Sequence, residues 1–143
     1  MTMDVGLPSV EGRRQKNLVL ILAREFASKL ATATFVADAD GRLVFYNETA
    51  ERILGRTFAE AGEMRAEEWG SLFQIEELDG TPVPLEANPG GIALLERRPA
   101  HHTLRITGLD GVKRTISATA FPLLAHADDL VGMVAIFWEH PGT

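Results

Sequence analysis

The segment Phe35–Gly55, FVADADGRLVFYNETAERILG, constrains this chain more than any other. Apolar residues on either side of Asp38-Ala39-Asp40-Gly41 predict two short strands joined by a tight turn. Glycine tolerates positive φ there and aspartate bonds nearby backbone N–H groups, so both suit the turn. Asn47 stands where the second strand stops and an amphipathic helix begins, the position of an N-cap. Gly55 stands where that helix must stop, the position of a C-cap glycine.

Asp38, Gly41, Leu43, Asn47, Ala50, Leu54 and Gly55 together resemble the opening signature of PAS domains. The elements of that signature are an Asp-x-x-Gly hairpin, an Asn closing the second strand and a Gly closing the first short helix. Pro122 and Gly132 resemble later positions of the family, and the resemblance extends over roughly residues 30–140.

The rest of the chain can be read on its own. Leu18, Leu22, Phe26 and Leu30 recur at helical spacing, and Val19, Ala23 and Ala27 widen that stripe. Leu20 and Ile21 make the helix apolar nearly all round. Arg13, Arg14 and Lys16 precede it, where the dipole disfavours cations, which points to a start upstream near Ser9. Strands are predicted over 34–37 and 43–46 and a helix over 47–54. Thr57-x-x-Glu60 is a capping box, and a helical piece falls within 63–78. Asn88-Pro89 opens a helix that ends before Pro99. Three strands over 100–107, 112–123 and 130–139 complete the chain, with Asp110-Gly111 turning the first pair.

Five antiparallel strands with helices segregated between the second and third make an α+β domain. This is also the PAS element order. The expected organisation is a flexible segment over 1–16, a flanking and dimerisation helix over 17–32 and a PAS domain over 33–140. The short helices cover one face of the sheet and the N-terminal helix the other.

Alternation assigns faces to the strands. His102, Leu104 and Ile106 share one face, as do Ile116, Ala118 and Ala120, and as do Met133, Ala135 and Phe137. With Phe35, Phe45, Leu94 and Leu95 these are the candidate lining of a ligand pocket between sheet and helices. The alternative is that they fill the space. Both faces of the last strand are apolar, so Val134, Ile136 and Trp138 join Leu18, Val19, Leu22, Phe26 and Leu30 as the candidate interface of a homodimer.

The cofactor is left unknown. Flavin-binding PAS members carry a reactive cysteine and inward amides on the last three strands. This chain has no cysteine, and the corresponding positions resemble Ile106, Ile116 and Phe137, all apolar. Haem-binding members use a histidine on the long helix, and Gly90–Arg98 has none, so haem is a minor alternative resting on His101 or His102. A small apolar ligand, fatty-acyl among the options, or no ligand remains.

No metal site and no catalytic constellation is expected, since no Ser–His–Asp spacing, phosphate loop or HExxH helix occurs. A net charge of −6 argues against nucleic acid. No apolar run is long enough for a membrane span, and cytoplasmic residence is the expectation. The resemblance implies signal transduction: a PAS module that regulates a partner protein or output domain, or a ligand-free dimerisation scaffold.

Overall fold

The computed structural model describes residues 10–126 and 129–140. Helix α1, Val10–Ser28, is followed by strands β1, Ala33–Asp38, and β2, Leu43–Tyr46. Three short helices come next: α2, Glu48–Leu54; α3, Phe58–Ala61; and α4, Ala66–Leu72. A 3-10 turn at Leu85–Ala87 leads into α5, Pro89–Glu96. Strands β3, Ala100–Thr107, β4, Lys113–Ala125, and β5, Asp129–Glu139, end the fold.

The strands form one antiparallel sheet in the order β2-β1-β5-β4-β3, so the last strand occupies the middle. β5 pairs with β1 through Phe35–Ala135 and Ala37–Met133, and with β4 through Ala118–Phe137 and Ala120–Ala135. Two apolar layers flank this sheet. The larger, on the side of the short helices, gathers Phe35, Leu43, Tyr46, Leu54, Trp69, Phe73, Met133 and Phe137. The smaller, under α1, is built on Ala27, Val36, Val44 and Val134.

The caps read from the sequence are in place. Asn47 Oδ1 accepts from Ala50 N at 3.0 Å, and Gly55 N donates to Glu51 O at 2.9 Å with Gly55 at φ 83°. Thr57 Oγ1 accepts from Glu60 N at 3.1 Å and Glu60 returns the bond to Thr57 N. Asn88 Oδ1 accepts from Gly90 N at 2.8 Å, with Pro89 in the first turn.

The first helix departs from the expected bounds of 17–32 but starts close to Ser9, as the cations at 13, 14 and 16 indicated. It is already formed at Val10, so residues 10–16 of the expected flexible segment are helical, while residues 1–9 lie outside the described ones. It stops at Ser28 because Lys29 N and Leu30 N turn back to the carbonyls of Phe26 and Ala27, tightening the last turn. Asn47 then fixes the exit: its Nδ2 donates to the carbonyls of Ala27 and Thr32, each at 2.9 Å. At the other end Lys16 pairs with Asp129 of β5 at 3.1 Å.

Candidate functional site: an apolar cavity beneath the sheet

Between β1, β3, β4 and β5 and the helical layer lies a cavity of about 80 Å³. Its floor is the inner sheet face: Phe35, Leu104, Ile106, Ile116, Ala118, Met133, Ala135 and Phe137, all candidates from the sequence and all but Phe35 assigned by alternation. Leu54 from α2, Trp69 from α4, Phe73, Ile75 and the start of α5 close it from above. Trp69 stands edge-on to Phe35 at 5.2 Å between ring centres, and its Nε1 donates to Gly41 O at 2.8 Å. That bond leaves the indole N–H satisfied and the lining almost wholly apolar.

The start of α5 reaches the sheet because it is thin. A Cβ on Gly90 would stand 2.8 Å from Met133 Cε, and one on Gly91 would stand 1.7 Å from Leu85 O. Gly90, Gly91 and Ala93 are therefore the face that packs. Leu95 of this helix turns away and is 64% exposed rather than lining the pocket. Leu94 packs against the core from the side without reaching the cavity, and Ala120 is fully buried but lies beyond the cavity wall.

Two further expected pocket residues are elsewhere. Phe45 packs with the layer under α1, where the Arg24 guanidinium lies 5.9 Å over its ring. The cause is a bulge: Val36 pairs with Phe45 and Ala37 with Leu43, so β2 carries an extra residue and its alternation breaks. His102 is half-exposed at the rim of β3, where its Nε2 meets Glu77 Oε1. Glu76 pairs with Arg105 along the free edge of β3 and brings that carboxylate alongside. An imidazole paired with a carboxylate at the rim avoids the desolvation it would meet in an apolar cavity.

On the opposite face, α1 docks through one leucine and two alanines. Leu20, Ala23 and Ala27 pack on Val36, Val44, Val134 and Ile136. Leu18 and Leu22 are left more than half exposed, and Phe26 is 67% exposed. An apolar groove runs along this side, lined by Val19, Leu22, Phe26, Leu30, Phe121, Val134 and Ile136. Leu18 is exposed outside that groove. Trp138 does not join it either: it sits 6.1 Å from His101 and beside a polar cleft with Arg52, Arg114 and Glu139.

Charge is kept to the rim of the domain. The Tyr46 hydroxyl donates to Arg56 O at 2.7 Å, and burial, with Glu51 nearby, pushes its phenol up to about 12. The carboxylate of Asp110, in the β3–β4 turn, is held below its ordinary range by the N–H of Val112 and by Arg114. Among the described residues no group of three His, Asp or Glu side chains is placed to hold a metal. No helix among them is long and apolar enough to cross a membrane.

No protein-family model matches the sequence, and no curated protein matches it significantly. Solved structures do match. A PAS domain from Colwellia psychrerythraea aligns over 87% of this chain and 99% of its own, with a TM-score of 0.61 at 15% identity. The fold is that of a PAS domain. The PAS domain of nitrogen regulation protein NR(II) from Vibrio parahaemolyticus aligns over 83% of this chain and 98% of its own, with a TM-score of 0.58 at 15% identity. The LOV domain of a blue-light activated histidine kinase from Erythrobacter litoralis covers 78% and 97%, with a TM-score of 0.57 at 16% identity.

Against this PAS fold the cavity fits neither of the large cofactors weighed from the sequence. Pockets for drug-sized ligands run to about 300–1,000 Å³, and the present one has about 80 Å³. Its lining offers neither a thiol for a flavin adduct nor an imidazole for haem iron. The residues that sequence reasoning missed are those of the roof, Leu54, Trp69, Phe73, Ile75, Asn88, Pro89 and Gly90. The available signal was the pair Gly90-Gly91 just after a helix start, which marks a close approach.

Proposed function

We propose that the chain is a sensory PAS module in which a small apolar ligand enters the core cavity and alters the seat of α1 on the sheet. The observation that carries this reading is that both sites share β5. Met133, Ala135 and Phe137 face the cavity, while Val134 and Ile136, between them in sequence, support α1. A ligand that displaces the first set shifts the strand that carries the second.

In the same reading the exposed side of α1 is covered by a second copy of the chain. Projecting Leu22 and Phe26 and the groove beside them lie on one surface, so a two-fold partner can fill the groove reciprocally. The output is a partner protein or a linked domain that reads the arrangement of the paired helices, and the module itself performs no catalysis.

Native mass spectrometry of the purified chain tests both parts together. A mass of two chains is expected at micromolar concentration, and a monomer there would remove the dimer from the proposal. The small volume of the cavity favours a second reading, a dimerisation scaffold with a filled core. That reading predicts that no apolar probe binds.

A further inference from the structure

A single side chain stands between the core cavity and a larger space beside it. Phe137 lines the apolar cavity of about 80 Å³ and also the polar cleft of about 500 Å³ between α2 and the start of β4 and end of β5. Along β5, Met133 and Ala135 line the cavity, Phe137 stands at the boundary and Glu139 lies in the cleft. Both cross-strand neighbours of Phe137 are alanines, Ala33 on β1 and Ala118 on β4. Directly opposed residues have Cβ atoms about 4.5–5.5 Å apart, so an alanine on either side leaves the ring space to turn. Among the described residues no other aromatic ring packs on it, whereas Phe35 is held by Tyr46 and Trp69.

We infer that Phe137 is the gate of the cavity and the cleft its vestibule: the ring swings over Ala33, and a small neutral apolar molecule passes from the cleft into the core. The inference rests on the ligand-sensing reading above and supplies its route of entry. Another part of the wall, half-buried Ile75, lies beside the free edge of β3. Opening there parts three backbone hydrogen bonds of 2.8 Å, two between Glu76 and Arg105 and one from Thr107 N to Phe73 O. Turning the Phe137 ring breaks none. The same ring sorts by charge. The cleft holds the side chains of Arg52, Arg114 and Glu139, while the cavity behind the ring holds no charged one, so an ion has nothing to offset its desolvation there.

The test uses the intact chain, labelled with ¹³C at its methionine methyl groups, under dissolved xenon, which occupies dry apolar cavities. In the native chain xenon is expected to move the Met133 methyl signal, since Met133 lines the cavity. Saturation transfer between free and bound xenon gives the entry and exit rates. Ala33→Val fills the space over which the ring turns, and Ala33 lines the cleft but not the cavity. It is expected to slow entry and exit alike, each about tenfold, with the affinity unchanged. Phe137→Leu serves if that variant does not fold, and its smaller side chain is expected to speed entry about tenfold. Xenon binding with an entry rate that does not move in the stated direction overturns the gate and leaves ligand sensing standing. No movement of the Met133 signal in the native chain overturns ligand sensing itself and the gate with it.

Discussion

Asn47 Nδ2 donates to the carbonyl of Ala27 at 2.9 Å, joining the end of α1 to the start of α2 across twenty residues of sequence. The same side chain accepts from Thr34 N and from Ala50 N, each at 3.0 Å. It is 2% exposed, so every one of these groups lacks water as a substitute. One residue thus caps two helices and pins the first strand.

Replacing it should be costly in a diagnostic way. Asn47→Ala removes the cap and leaves buried groups unpaired, and should lower stability by about 3 kcal/mol in urea unfolding. Asn47→Asp retains both accepting contacts but turns the donors into a charge facing the carbonyls of Ala27 and Thr32. It should remain clearly destabilised, and an aspartate variant as stable as the parent would show that the donor side contributes nothing.

The tyrosine at the end of β2 gives a pH prediction. Burial raises the Tyr46 phenol from 10.0 to about 12, so the unfolded chain releases this proton first as pH rises. The resulting stability is complete below pH 10 and is lost as pH climbs through the folded value. Ultraviolet titration should show the chain's one tyrosine ionising near 12, with unfolding becoming easier across the window. Tyr46→Phe should remove that dependence while losing about 1 kcal/mol for the bond to Arg56 O.

Two adjacent glycines should respond differently to the same methyl group. At Gly90 the obstacle is the flexible end of Met133, whereas at Gly91 it is the backbone carbonyl of Leu85. Gly90→Ala should cost about 1–2 kcal/mol, in the range of ordinary overpacking. Gly91→Ala should cost more, because the Leu85–Ala87 turn itself must move. Thermal unfolding of the pair checks the order, and equal midpoints would contradict this account of how α5 sits.

On the other face, Leu22→Glu should give a single-chain mass in native spectrometry with unchanged far-ultraviolet circular dichroism. Leu22 is 57% exposed, so the folded chain accommodates the charge while an apolar contact between copies does not. A two-chain mass in this variant would place the contact elsewhere.

The sequence carried the frame of this fold in its punctuation. Asn47, Gly55, Thr57 and Asn88 all cap the helices assigned to them, because capping is a local matter of a few bonds. Alternation placed the sheet floor of the cavity for the same reason: β3, β4 and β5 run straight there. It failed at Phe45, where a bulge reverses the faces, and at His102, where the Glu77 carboxylate comes from a distant loop. It failed more instructively on α5. The reading put Leu94 and Leu95 in the pocket, whereas this helix packs through Gly90 and Ala93. Close approach rewards small side chains there, and Leu95 is displaced outward as a result.

The chain that leaves α1 has no slack. Its carbonyls at Ala27 and Thr32 end on one amide, and the next strand residue, Thr34, donates to that same side chain. A helix tied in this way cannot slide independently of the domain beneath it. Any roll or tilt of α1 would strain bonds at the start of α2 and the start of β1, because one side chain holds all three elements together.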